Sequence, residues 1–561
     1  MNPQVRPGLT AHVVGVTKPT LRRHGAATSR SHLSSQRAVR GAGMFAVPDL
    51  DEVVAAAKTL GIHLGPDEAV LYRKYLLQHL KSLDEFVQSR MEETPPPVTY
   101  AARGPGHRPS AEDDPLSAWM WKCEISGAEE GPLAGKTVSY KDHIAVAGIP
   151  MTFGAAAMEG FIPDVDATVV TRVLEAGGTI VGKNTMNGLT GGFGFGGAIG
   201  DYERPKNPHN PEHVPGGSSS GSAAAVAAGE VDISFGGDQG GSIRIPAAWS
   251  GNVGLKPTFG LVSHFGIGFG SDQSIDYTGP MTRTVEDAAA SLEVVAGYDG
   301  LDPRQSREVP EHMDVMSGLA EGVDGIRIGI VEEGFDSAEE DVTELVMAAA
   351  DSLADAGAKV STVSVPAHLQ VSKAAMALGP EGSRAAFDTG FLGVYARTYY
   401  PASIIAAVHR MRTMHADLLN PRTKLNYLVA EFSRRNFHGQ VYAKAQNVRS
   451  SFIKAYDTAL ADVDVLLMPT CILKAPKYDP PTGELEILED GMNLAAFKAA
   501  RNTQPFNYTG HPALAVPCGK SAGLPVSMQL IGRMFEDPLL LRVAYAFQQS
   551  VAYDDIIAVT A

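Results

Sequence analysis

Apolar residues recur along this chain with two different periods, and the change of period divides it. In DEAVLYRKYLLQHLKSLDEFVQSRM, Leu76, Leu77, Leu80, Leu83 and Val87 lie one, three and four apart, which lines one face of a helix. The preceding DLDEVVAAAKTLGIHL has an Asp at its front and a Gly near its end, a helix start and stop. Together they predict a helical N-terminal domain over 44–95, followed by a proline- and glycine-rich linker over 96–115. Beyond Leu116, helical runs alternate with short β-branched ones. ATVVTRVLEAGGTIVGK reads as helix, Gly-Gly stop and strand, and GIRIGIV, EEDVTELVMAAADSLADAGA and KVSTVSV as strand, helix and strand. DVDVLLMPT, PALAVPCG and PVSMQLIG read as buried strands ahead of a last helix, PLLLRVAYAFQQS. The predicted fold class is α/β with a helical addition at its N-terminal side.

Composition narrows the function. The 561 residues are 44% apolar and 20% charged, and no apolar run approaches the ~20 residues of a membrane span. A net charge of −16 argues against nonspecific nucleic-acid binding. Cys123, Cys471 and Cys518 are too widely separated for a disulfide framework or metal-ligand spacing, which points to a reducing cytoplasm. Residues 1–43 differ in kind: they carry six Arg, one Lys and no acidic residue, leaving −23 on the remainder. They read as a disordered or non-native extension, with Met44 an alternative start, more than as a transit peptide, and are set aside from the fold.

Four local patterns fail on their context. GPLAGKT lacks the first glycine of a phosphate-binding loop, because Glu130 stands in its place. GFGFGG (192–197) has dinucleotide-loop spacing, but the residues after it cannot form the required helix. HNPEH (209–213) has metal-ligand order, yet Pro208 and Pro211 oppose the helix that would align both imidazoles. GSSSG (217–221) matches a nucleophile elbow centred on Ser219, but the prolines of RPKNPHNPEHVP oppose the strand leading into it.

What remains is a constellation. SYKDHI carries Lys141, and PGGSSSGSAAAVAAGEVDISFGGDQGGSIRIP carries Ser218 and Ser242. The serines lead into SAAAVAAG, a helix start with a serine cap, and VDISFGG is a strand that delivers GGDQGGSIRIP. Four glycines within six residues let backbone N–H groups approach something small and anionic.

This run resembles the signature of the amidase signature family. The likeness continues through VGKNTM, GLKPTFGLVS, DYTGPMTRTVEDAA and PFNYTGHPALAVPCG, from about Leu116 to Phe547. GGDQGGSIRIPAAW, DGLDPRQS and the helical N-terminal domain look closest to bacterial amidases that act beside nitrile hydratases. The resemblance implies an amidase core with a central mixed β-sheet flanked by helices over 116–309 and 443–561, interrupted by a small domain over 310–442. It implies a Ser–cis-Ser–Lys triad: Ser242 as nucleophile, Ser218 as the bridging serine behind a cis Gly217–Ser218 peptide, and Lys141 as base. A lysine acts as a base only when neutral, so burial must lower its pKa from about 10.4 by several units. Gln239, Gly240 and Gly241, with Ser242, are expected to offer backbone N–H groups to an oxyanion, with side chains at 240 or 241 obstructing the carbonyl's approach. Ser219 is expected to hydrogen-bond within the triad, and Arg244 to anchor the loop. Asp142 and Asp238 are expected to fix backbone, and Phe193 and Phe195 are candidate lining of an acyl pocket. No cofactor or metal is implied. The expected reaction is hydrolysis of a small-molecule amide, foremost a primary amide, by a cytoplasmic enzyme with no nucleic-acid or membrane partner and a homodimeric state. Aryl amides, carbamates or esters are alternative substrates, and the glutaminase subunit of a tRNA-dependent amidotransferase is an alternative identity.

Overall fold

The computed structural model describes residues 45–190, 202–478 and 498–559, with Gly483, Glu486, Leu488 and Glu489 between the last two stretches. The described residues fall into two compact units, one ending at Glu93 and the other beginning at Thr94.

In the first unit, α1 (Leu50–Thr59) and α2 (Pro66–Val87) are the two helices the periodicity predicts. Asp49 caps α1: its Oδ1 accepts from Glu52 N at 2.8 Å, while Glu52 Oε2 accepts from Asp49 N at 2.8 Å. Pro66 opens α2, where its missing N–H costs nothing. Val53, Ala57 and Ala69 are buried, whereas Leu83 and Val87, at the end of the predicted stripe, are exposed.

The second unit is built on one eleven-stranded mixed sheet, in the order β1-β3-β2-β4-β6-β5-β10-β11-β9-β7-β8. In chain order it starts with β1 (Trp119–Ser126), β2 (Thr137–Lys141), α3 (Thr168–Glu175) and β3 (Thr179–Asn184). There follow α4 (Ser220–Ala227), β4 (Ile233–Asp238), α5 (Arg244–Ser250), β5 (Val253–Lys256), β6 (Tyr277–Thr282) and α6 (Val285–Val295). Next are β7 (Arg327–Val331), α7 (Glu340–Asp355), β8 (Lys359–Val363), α8 (His368–Asp388), α9 (Ala402–Met414) and α10 (Pro421–Phe437). The described residues close with α11 (Gln440–Asn447), α12 (Arg449–Asp462), β9 (Val465–Pro469), α13 (Gln504–Thr509), β10 (Ala513–Ser521), β11 (Leu524–Ile531), α14 (Asp537–Ser550) and a short α15 (Tyr553–Ile557).

Strand side chains such as Val138, Tyr140, Ile233, Val253 and Leu514 join Val170 of α3, Leu292 of α6, Val346 of α7 and Leu541 of α14 in the largest core cluster. The segment expected as an inserted domain, 310–442, is laid down in two parts. Its strands β7 and β8 extend the sheet beyond β9, and α8 packs against α10, α11 and α13.

The central pairing positions the site. Strand β2 runs parallel to both β3 and β4, with Tyr140 opposite Phe235 and Lys141 opposite Asn184. The carboxyl ends of β2 and β4 therefore lie side by side, one carrying Lys141 and the other Gly237 and Asp238. Helix α4 is buried along its whole length; its Ser, Gly and Ala residues are small enough for it to pack closely against both the sheet and α5.

Candidate active site

Lys141 is fully buried at the end of β2. Its Nζ donates to Ser218 Oγ at 2.7 Å and to the Gly237 carbonyl at 3.1 Å. Burial pulls its ammonium down to about 7, against the Asp276 and Asp238 carboxylates, which favour the charged form. The Gly217–Ser218 peptide is cis. Ser218 is buried, its carbonyl accepts from Asn187 N at 3.2 Å, and the next N–H, that of Ser219, donates to the Ser242 carbonyl at 3.2 Å. The two serine segments are thus joined directly, and Lys141 is bonded to the first of them.

The hydroxyl of Ser219 goes elsewhere than expected. It donates to Gly237 O at 3.3 Å and accepts from Gly237 N at 3.3 Å, so it holds the strand end that also receives Lys141. It makes no side-chain cap on α4, although Ser219 occupies the cap position. Gly237 is pressed by a neighbour: a Cβ there would lie 2.2 Å from His143 Nε2.

Residues 238–244 form a loop tied from within. Asp238 Oδ1 accepts from Gly241 N at 2.6 Å, and Oδ2 accepts from Ile243 N at 3.1 Å and Arg244 Nε at 3.0 Å. Burial pushes this carboxyl up, but the charge and hydrogen bonds of Arg244, with Asn507 and Ile243 N, outweigh it and hold Asp238 well below the usual carboxylate range. Arg244 reaches further, to Gln529 Oε1 at 2.8 Å and Asn507 Oδ1 at 2.7 Å, as a loop anchor would. Asp142 accepts from Thr152 N at 2.8 Å and Lys183 Nζ at 3.1 Å, so it too is committed to holding structure.

The glycine pair beside Ser242 has a different physical basis from the one expected. The peptide unit between Gly240 and Gly241 is gripped at both ends. Its carbonyl accepts from Thr503 Oγ1 at 2.7 Å and its N–H donates to Asp238. A Cβ on Gly241, whose φ is +133°, would lie 2.2 Å from Thr503 Oγ1, so a side chain there meets protein before it obstructs any substrate. The Gly241 N–H is thereby committed to Asp238. The N–H groups of Gln239, Gly240 and Ser242 have no such partner among the described residues.

Ser242 is nearly buried, at 8% exposure, and with Gln239 and Gly240 it lines a cavity of about 280 Å³. The walls include Ile275, Phe387 and Leu425, with Arg384, Arg422 and Tyr427 from α8 and α10. Gln239 is turned aside by Asp276, whose Oδ1 accepts from its Nε2 at 2.6 Å and lies 3.0 Å from His264 Nε2. Phe193 and Phe195 lie outside the described residues. The imidazoles of HNPEH diverge: His209 Nε2 pairs with Ser250 O at 3.1 Å and His213 Nδ1 with Ala475 O at 2.7 Å. Thr503, Asn507, Asp276 and the α8–α10 wall were not identified from sequence; Asp276 and Asn507 stood inside recognised stretches, but their spacing gave no sign of their contacts.

A family model described as Amidase matches residues 116–541. The chain is 40% identical over 478 residues to an enantioselective amidase of Rhodococcus rhodochrous, spanning 83% of this chain and 88% of that one. It is 36% identical to a glutamyl-tRNA(Gln) amidotransferase subunit of Halobacterium salinarum, over 77% of this chain and all of that one. Its fold is similar to that of native peptide amidase from Stenotrophomonas maltophilia, with a TM-score of 0.60 and 30% identity over 75% of this chain and 83% of that one.

Proposed function

This chain is an amide-hydrolysing enzyme of the amidase signature family, and we propose that it cleaves small carboxylic acid amides at Ser242. The observation that carries the assignment of residues is the buried Lys141–Ser218 contact of 2.7 Å, joined through Ser219 N to Ser242. A lysine with a pKa of about 7 is substantially neutral at physiological pH. In that form one N–H goes to Gly237 O, and the lone pair accepts the Ser218 hydroxyl proton. Ser218 in turn takes the proton of Ser242, whose oxygen attacks the amide carbon. The oxyanion is met by the N–H groups of Gln239, Gly240 and Ser242. The proton returns through Ser218 to the nitrogen, the C–N bond breaks and ammonia or an amine leaves. Water, deprotonated by the same path, then releases the acid from the Ser242 ester.

A stand-alone amidase is favoured over an amidotransferase component by the higher identity to the Rhodococcus enzyme and by the helical pair α1–α2, which precedes the matched region. Three free thiols suit a cytoplasmic setting, and no helix of the described residues is long and apolar enough to cross a membrane. Ammonia release from aliphatic amides, aromatic amides and glutamine, run beside Ser242→Ala, tests this reading. Release from simple amides that vanishes in Ser242→Ala is expected. Activity confined to glutamine would reassign the chain as an amidotransferase component.

A further inference from the structure

The cavity over Ser242 meets α8 and α10 at two side chains that it shares with a second cavity. Arg384 and Tyr427 line both, and no other described residue does. The second cavity, about 400 Å³, is bordered by Ala416, Leu419 and Leu428, with charged groups at its rim. Both dividing side chains are held in place. Arg384 Nε donates to Asp388 Oδ2 at 3.0 Å within α8, and its Nη1 donates to Glu431 Oε2 of α10 at 2.5 Å. Tyr427 is covered by the Arg412 guanidinium, 4.7 Å from the ring centroid.

We infer that Arg384 and Tyr427 form a fixed partition that limits the length of the acyl group, and that this enzyme takes amides of compact apolar acids. The inference rests on the amidase reading above. At about 280 Å³ the Ser242 cavity is at the small end for a small-molecule site. Behind the partition, Leu419 and Leu428 offer apolar surface in an open groove along which a longer chain would find a favourable path, so at this wall it is the two side chains that separate cavity from groove. The partition can be removed without stranding charge. Asp388 keeps Arg412 at 2.9 Å, and Glu431 keeps Arg435 at 2.6 Å, when Arg384 is lost.

The test is calorimetric titration with straight-chain carboxylic acids, from acetate to dodecanoate, which needs no turnover. In the wild type, affinity should grow with chain length and then fall once the chain reaches the partition. Arg384→Ala and Tyr427→Ala should each bind the rejected lengths about tenfold more tightly or better. Arg384→Met, which restores bulk without charge, should keep the wild-type limit. The same limit in the wild type and both alanine variants, with circular dichroism showing them folded, overturns the partition. So does a methionine variant that behaves like alanine, since bulk would then not be what closes the cavity. Amides of the same acids, assayed for ammonia beside Ser242→Ala, separate the two claims: a shifted binding limit without hydrolysis sinks the amidase reading and leaves the partition standing.

Discussion

Lys141 sets the pH response at the scale of single residues. In the proposed mechanism its neutral form is the active one, so kcat/KM should rise with pH through about 7, and a pH–rate profile measures this directly. The same shift acts on stability with a definite sign. An unfolded lysine keeps its proton to about 10.4, so between about pH 7 and 10 the unfolded chain binds more protons, and stability rises with pH. Holding the folded group that low costs roughly 4 kcal/mol at neutral pH. Lys141→Met removes that cost and loses two hydrogen bonds of about 1 kcal/mol each. The variant should lose about 10²–10⁴-fold in kcat yet melt at or above the wild-type Tm. In the proposed mechanism Thr503 would act through the Gly240–Gly241 peptide, its grip on the carbonyl leaving the N–H groups of Gly240 and Ser242 to the oxyanion. Thr503→Val should lower kcat about ten- to a hundredfold with KM little changed, and Thr503→Ser should restore it. A KM effect alone, or no rescue by serine, would remove Thr503 from this role.

Elements with the same kind of sequence signal folded for different reasons. Helix α1 is locally specified: the Asp49–Glu52 capping box satisfies its first N–H groups. Asp49→Ala should therefore cost about 1 kcal/mol of local stability and speed amide exchange in α1 more than in the central sheet. Helix α4 is specified by its surroundings. Ser219 occupies its cap position but gives its hydroxyl to Gly237, because the helix start is also the wall of the site. The serine of SAAAVAAG, Ser222, thus marked the helix correctly but not its start, since it lies inside α4 and the cap position falls to Ser219. Strands β7, β9, β10 and β11 were legible from their apolar runs. The strands β1 and β6 were not, because WMWKCEIS and YTGPMT mix bulky, polar and proline residues that only pairing with neighbours makes extended.

Across the whole molecule, one buried cation joins distant parts of the chain. Arg244 links the loop after β4 to Gln529 on β11 and Asn507 on α13, partners 285 and 263 positions away. Arg244→Gln leaves Asp238 buried without its charge partner and should cost about 3–5 kcal/mol in urea unfolding at pH 7. Asp238 is held low when folded, so its stabilisation is complete above about pH 4 and is lost as pH falls through the depressed value. In the variant burial acts on Asp238 without the Arg244 charge and raises its pKa, so the loss relative to the wild type should be largest at neutral pH and shrink as the pH falls. The amino-acid sequence by itself determined, through its resemblance to the family, which residues are proposed to carry the chemistry, Lys141, Ser218 and Ser242; it also determined the period of most helices and strands, because spacing along a chain is a local property. Tertiary structure alone decided the rest. It lowered the pKa of Lys141 through burial, turned the Gly241 N–H to Asp238, and lined the cavity over Ser242 with residues of α8 and α10. Each of these depends on which groups exclude water from one another, and their partners stand up to hundreds of residues apart in the chain.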